Sequence, residues 1–382
     1  MKPSVTVLVG HYLPGMKAGG PIRSIANLVE GLGDEIDFRI VTRDRDLGDA
    51  APYRSIVPNR WTAIGKGQVR YTSAERLEPF SLARILREAD SGCIYLNSFF
   101  SWEFSILPMV LVMLGWIRPK RVVLAPRGEF SPGALGLKRW RKRAFLALAR
   151  SLPVYRQAMW HASSALEERD IRAMFGDSVD VRLALPISVL TDTRHNTDKP
   201  SGKLRLICLS RVSPKKNLLG ALRMLEGLAG EIEFNVYGPA EDEAYLRECR
   251  TAIEQLPRNI RVHLHPAVPH ERVAVLFASH HLFYFPTLGE NYGHVIYEAL
   301  AAGCPALLSD QTPWRGLAGK GAGWDLPLDS QEQFRAALEK AVAMDDKEFA
   351  AASEAARRFA REFTAADEQV ARSRAIFLGA AA

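Results

Sequence analysis

Glu290 and Glu298 stand eight positions apart in the stretch Pro286–Asp310, PTLGENYGHVIYEALAAGCPALLSD, with a glycine-containing turn and a short amphipathic run between them. A carboxylate in a loop and another two turns into a helix can reach two ends of one ligand. The helix start between them offers backbone N–H groups that suit a phosphate. A sugar nucleotide has this layout, with hydroxyls at one end, a diphosphate in the middle and a ribose at the other. Taken singly, Glu290 also reads as a turn residue and Glu298 as a solvated helix residue. The GENYG turn and the Gly303–Cys304–Pro305 exit favour a site. His294, at the expected helix start, is either a polar contact or a turn filler.

A second constellation is Ser210–Asn217, SRVSPKKN, directly after the apolar run Leu204–Leu209. Arg211 and Lys216 emerge where an open α/β sheet binds its ligand, and two cations there can neutralise a leaving diphosphate. A basic surface turn is the plainer alternative. A third is His11–Pro21, HYLPGMKAGGP, in which Gly19 and Gly20 let the backbone approach a ligand and Pro21 suits a first helical turn. Neither a GxGxxG fingerprint nor a GxxxxGK[ST] phosphate loop is present. A fourth is Ala125–Gly133, APRGEFSPG, whose Arg127 and Glu129 follow an apolar strand and are candidates for donor or acceptor contacts. The histidines show no HExxH spacing and no CxxC pair exists, so no metal or redox motif is supported.

These residues need elements to hold them. Short apolar runs recur at Val5–Val9, Phe38–Thr42, Cys93–Leu96, Val122–Ala125 and Ala158–His161, then at Leu204–Ser210, Ile232–Tyr237, Val262–Leu264, Leu282–Phe285 and Ala306–Ser309. They do not alternate cleanly, as strands covered on both faces should not, and helical segments separate them. Strand then helix, repeated, implies parallel sheets with right-handed crossovers. The polar stretch Pro186–Lys203 reads as a linker between two such series, and the chain is helical from about Asp346 onward. With 382 residues, two domains are expected, and two doubly wound domains facing each other place a ligand cleft at the carboxyl ends of their strands.

The formal charge of +7 suits anionic ligands or is a solvated surface bias. Four scattered cysteines fit a reducing, cytoplasmic setting. Phe104–Ile117, FSILPMVLVMLGWI, is shorter than the ~20 residues a bilayer span requires and reads as a buried helix, with a membrane-touching surface as the alternative. The basic run Lys138–Arg143 with its Trp140 reads as a solvated helix face, or as a contact with anionic lipid. It lacks the repeated aromatics or fold motif of a nucleic-acid binder.

On these residues the chain resembles the retaining glycosyltransferases of family 4, the glycosyl transferases group 1 class. The resemblance rests on E-x7-E at Glu290 and Glu298, R-x4-K at Arg211 and Lys216, the Gly238–Pro239 turn between them, and the Gly19–Gly20–Pro21 turn. The opening HYLPGMKAGGPIRSIANLVEGLG and APRGEFSPGAL are similar to a subgroup from bacterial surface-polysaccharide gene sets. The resemblance implies a GT-B fold, two Rossmann-like doubly wound parallel-sheet domains facing across a cleft. It places an N-terminal acceptor-side domain at 1–186, a linker at 187–203, a nucleotide-sugar-binding domain at 204–362, and a C-terminal helix at 363–382 packing back toward the first domain.

It also implies roles. Arg211 and Lys216 bind the donor diphosphate, Glu298 the ribose, and Glu290 the donor sugar. The backbone around Asn291, Tyr292, Gly293 and His294 completes the sugar and phosphate pocket, and Gly19, Gly20, Arg127 and Gly238 line the ligand. The reaction implied is metal-independent hexosyl transfer with retention, from a UDP- or GDP-linked donor to a glycan or lipid-linked glycan acceptor. It implies a cytoplasmic protein, with a peripheral place on the inner face of the plasma membrane as an extension. Two departures stand out: Arg127 occupies about the place where many members carry a histidine, and Leu185–Pro186–Ile187 replaces their asparagine–glycine turn. A sugar-nucleotide epimerase of the same fold and a non-catalytic nucleotide-sugar-binding protein are the alternatives.

Overall fold

The computed structural model describes residues 2–131, 134–135, 139–188 and 198–379. The interior of the expected linker, Pro132, Gly133 and Lys138 lie outside these residues. The chain divides into two compact units, residues 1–187 with 366–382, and residues 188–365.

The first unit is built on strands β1 (Ser4–Leu8), β2 (Asp37–Arg43), β3 (Trp61–Ile64), β4 (Gly67–Thr72), β5 (Cys93–Leu96), β6 (Arg121–Leu124), β7 (Met159–Ala162) and β8 (Val181–Leu183). They form one sheet in the order β3-β4-β2-β1-β5-β6-β7-β8. Helices on both faces bury the central strands, and Val5, Val7, Leu8, Phe38, Ile40 and Leu96 are inaccessible to solvent. This double burial explains why these strands read as unbroken apolar runs. β3 is the exception to the expected parallel pairing. It runs antiparallel to β4 across a two-residue turn at Gly65–Lys66, and Gly65 takes the left-handed backbone (φ 55°) that such a turn requires. As a short, half-exposed edge strand it shows no apolar run in the sequence.

The segment Phe104–Ile117 is mostly core. A π-turn over Trp102–Ile106 leads into the helix Leu107–Met113, and Phe104, Leu107, Met109, Leu111 and Ile117 are buried, whereas Met113 and Leu114 are exposed. Among the described residues no helix is long and apolar enough to cross a membrane. Trp140 and Arg143 are exposed on the helix Arg139–Ser151.

The second unit holds β9 (Lys203–Leu209), β10 (Glu231–Tyr237), β11 (Ile260–His265), β12 (Leu282–Phe285), β13 (Ala306–Ser309) and β14 (Gly323–Leu326), all parallel, in the order β11-β10-β9-β12-β13-β14. The C-terminal stretch is two helices. Asp346–Thr364 starts with a capping box at Asp345 and Glu348, and the left-handed backbone of Ala365 (φ 33°) ends it. The next helix, Ala366–Leu378, belongs to the first unit: Phe377 meets the edges of Phe38 and Tyr95, and Arg121 donates to the carbonyl of Ile376 at 3.0 Å.

Each sheet reverses its winding at one place, between β1 and β5 in the first and between β9 and β12 in the second. The loops leaving the carboxyl ends of strands at such a reversal are where open α/β sheets hold ligands.

Candidate active site

In the second unit the loops after β9 and β12 meet at the reversal. After β9 the chain crosses to the turn after β10, where Val212 N–H bonds the Pro239 carbonyl at 2.9 Å and Glu241 N–H returns to Val212 at 3.1 Å. Gly238 permits this. Its φ is 148°, and a Cβ there would collide with the Ser210 carbonyl oxygen. The crossing brings Arg211 Nη1 to 2.7 Å from Glu241 Oε1, with both side chains about half exposed.

The chain then turns through Pro214–Lys216 and leaves by Asn217, whose backbone is left-handed (φ 57°) and whose amide donates to the Pro286 carbonyl at 2.9 Å. The Lys215 carbonyl accepts Leu288 N–H (2.9 Å) and the Thr287 hydroxyl (3.1 Å), which ties this turn to the loop after β12. The Glu290 N–H is held by the Gln311 carbonyl at 3.0 Å. Between these anchors the Lys216 ammonium contacts the Glu290 carboxylate, and it lies 5.4 Å from the centre of the Phe285 ring. Both members of the pair are largely buried. Burial, and then the neighbouring Lys216 charge, pulls the Lys215 ammonium below the ordinary lysine range.

Gly293 opens the helix His294–Ala301 with φ 80° and ψ 62°, and a Cβ there would stand 2.7 Å from Ile296 Cδ1. The N-cap residue is a glycine and offers no side chain of its own, and the helix start turns the positive end of its dipole toward the loop. Tyr297, Leu300 and Ala301 face the core, which turns Glu298 outward. Glu298 Oε1 lies 3.6 Å from His270 Nδ1. Tyr292 does not present its phenol to a ligand. The ring is buried, its hydroxyl lies 2.9 Å from Ser188 Oγ, and its carbonyl accepts Trp314 Nε1 at 2.6 Å. Its part is to brace the turn from behind, and only backbone is left for a ligand.

In the first unit Gly19 (φ 68°) caps the helix Gly20–Leu32 after the loop that leaves β1. A Cβ at Gly19 would meet nothing, so the requirement for glycine there is conformational. Arg127 follows β6 with φ 56°, and its guanidinium bonds Asn97 and Tyr95. Glu129 folds back to accept the N–H groups of Phe99 (2.6 Å) and Phe100 (3.0 Å) and the Ser98 hydroxyl (2.8 Å). Burial raises its carboxyl above the usual range, and these donors oppose the rise.

Contact thus joins Lys216 and Glu290, while Arg211 and Glu298 each sit with another partner. Lys215, Glu241, His270, Asn97, Tyr95 and His161 were not picked out from the sequence. Asn97 had a signal, being the first polar residue after β5; Glu241 had one as an acid just beyond the Gly238–Pro239 turn. His270 and His161 had none, because their partners lie 28 and 66 positions away.

Residues 191–359 match the model of the family described as glycosyl transferases group 1. No curated protein matches the chain. Among solved structures, HepE of Anabaena in complex with UDP and glucose is similar with a TM-score of 0.72 at 15% identity, over 98% of this chain and 99% of that one. Sucrose-phosphate synthase from Thermosynechococcus elongatus gives 0.72 at 15%, over 97% and 96%. WaaG, a glycosyltransferase involved in lipopolysaccharide biosynthesis, gives 0.66 at 15%, over 98% and 100%. At such identities the likeness shows the fold, which is GT-B.

Proposed function

We propose, from the match of residues 191–359 to the glycosyl transferases group 1 model, that this protein moves a sugar from a nucleotide-sugar donor to a glycan or lipid-linked glycan, with retention of anomeric configuration. The Lys216–Glu290 pair carries the reading. Opposite charges from two loops converge at the reversal of the second sheet, beside a helix start opened by a glycine. A donor diphosphate is suited to the ammonium and the helix start, and the hydroxyls of the transferred sugar are suited to the freed carboxylate. Arg211 adds a second cation from the same turn, and in this reading Glu298 accepts the ribose hydroxyls. As the glycosidic bond to the diphosphate breaks, negative charge grows on the leaving group, and Lys216, Arg211 and the helix dipole stabilise it.

In this reading the donor is UDP- or GDP-linked, no metal takes part, and the product belongs to bacterial surface polysaccharide made at the cytoplasmic side. HepE with UDP and glucose and WaaG of lipopolysaccharide biosynthesis, which share the fold, support that choice of donor and setting. A thermal-shift screen against UDP-, GDP- and ADP-sugars tests it. At a hundred times its Kd the true donor adds about 2.7 kcal/mol, a rise in Tm of several degrees for a protein of this size. No shift with any of them overturns the reading, and conversion of the donor without an acceptor identifies an epimerase instead.

A further inference from the structure

Among the described residues, the arginine in the loop after β6 has no opposite charge in contact. Arg127 Nε donates to Asn97 Oδ1 at 3.1 Å, and Nη2 donates to Asn97 Oδ1 at 2.8 Å and to the Tyr95 hydroxyl at 2.6 Å. All these acceptors are neutral. The guanidinium carbon lies 5.8 Å from the centre of the Tyr95 ring. Among the described residues Nη1 makes no hydrogen bond, so two N–H groups of a fixed cation are left over. The neighbouring carboxylates are engaged elsewhere: Glu129 holds the turn after β5, and Glu167 accepts the N–H groups of Gly128 and Ser163 and the Ser163 hydroxyl.

The backbone is arranged around this side chain. Arg127 and Gly128 are successive left-handed residues, with φ 56° and 78°. An arginine there is strained, and the two glutamate clamps on either side hold it. The position matters as well. Asn97 N–H bonds the Leu8 carbonyl at 3.1 Å, which sets this cluster at the reversal between β1 and β5, beyond the carboxyl ends of the strands. A sugar that offers only hydroxyls has no need of a fixed positive charge. A guanidinium held by three hydrogen bonds, with a free pair of N–H groups, is pre-organised for two oxygens of an anion.

We propose that Arg127 recognises an anionic group, a phosphate or a carboxylate, on the saccharide held by the N-terminal domain. The proposal rests on the glycosyl-transfer reading above and adds the chemical class of the acceptor.

Glucose 1-phosphate, glucuronic acid and glucose, titrated by calorimetry, test it. The nucleotide found in the donor screen is kept at saturation so that the C-terminal site is filled. The wild-type protein is expected to bind one of the charged sugars about tenfold more tightly than glucose, and which one it is separates phosphate from carboxylate. Arg127→Gln is expected to bind all three alike, with its donor thermal shift unchanged. Arg127→Lys, which keeps the charge and loses the fork, is expected to retain a reduced preference, and it decides the matter if the glutamine variant does not fold. A wild type without preference for charged sugars overturns the proposal, as do variants that keep the full preference. A glutamine variant that loses the donor shift instead assigns the guanidinium to the donor, which also overturns it. A donor screen without any shift counts against the glycosyl-transfer reading, whereas an intact shift without charged-sugar preference counts against this proposal alone.

Discussion

Lys216 and Arg127 are both cations on loops leaving the carboxyl ends of parallel strands, yet the two domains hold them in opposite ways. Lys216 touches a carboxylate, Arg211 is likewise paired with Glu241, and Glu298 lies beside the His270 ring. Among the described residues the Arg127 guanidinium donates to neutral oxygens alone, while the acids near it accept from N–H and O–H donors. Removing charges from water is costly unless they are paired or hydrogen-bonded, and the two domains meet that requirement by different routes. In the C-terminal set each charge can exchange its partner for a ligand group. In the N-terminal set the geometry is fixed in advance and the charge remains available.

The widest break of this comparison is a variant that removes the exchangeable cation. Lys216→Ala is expected to lower kcat about a hundred- to a thousandfold, the usual cost of deleting one group that stabilises developing charge. Glu298→Ala is expected to abolish turnover similarly by losing the ribose. Both proteins should stay folded, since neither residue belongs to the buried core, although Lys216 is largely enclosed by its loop. Release of free nucleotide from the donor, measured alongside the melting curve, checks this. Full turnover by both variants would remove the C-terminal constellation from the chemistry.

A smaller effect sharpens the other half of the comparison. His161 sits behind Arg127. Its Nε2 hydrogen goes to the Ala184 carbonyl at 2.9 Å, so Nδ1 accepts from the Tyr95 hydroxyl at 2.6 Å. Burial, then the Arg127 charge, brings its pKa down from 6.5 to about 3. The unfolded chain takes up this proton near pH 6.5 and the folded protein resists it. His161 therefore contributes its full stability above that pH and loses it as the pH falls toward 3, at about 1.4 kcal/mol per pH unit. The nearby Glu129 titrates in wild type and variant alike and cancels in a difference. Urea midpoints at pH 7, 6, 5 and 4 should show a shallower decline for His161→Gln, and parallel declines would mean that the imidazole is not held neutral.

How far the chain could be read beforehand follows the range of the interactions. β5, β12 and β13 were legible to the residue, because a doubly covered strand is a continuous apolar run. Lys216 and Glu290 were legible as residues from the turns they occupy, and Tyr297, Leu300 and Ala301 from helical spacing. β14 was not, since Gly323 and Asp325 interrupt its apolar character, and β3 was not, since half of it faces solvent. The partners escaped for another reason. Glu241 reaches Arg211 only because Gly238 lets two strand turns pass at contact distance, and His161 reaches Tyr95 only through the intervening strand β6. Register between strands sets these meetings, and periodicity along one segment does not encode it. The packing of Tyr292 was hidden for the same reason: Trp314 and Ser188, both distant in sequence, hold it from behind.

The finest test separates exchange from simple attraction at Lys216. If the donor must take the ammonium away from Glu290, the carboxylate competes with the diphosphate, and neutralising it should favour the nucleotide. Glu290→Gln is then expected to bind the free nucleotide more tightly, by about fivefold, as losing a competing contact worth about 1 kcal/mol implies. The same variant should lose sugar transfer, because the amide is a weaker acceptor for the hydroxyls of the sugar. Calorimetry with the free nucleotide checks the first expectation and turnover the second. Weaker nucleotide binding by Glu290→Gln would show that the carboxylate positions the ammonium for the ligand, and the contrast between an exchangeable and a pre-set cation would then fail at its C-terminal end.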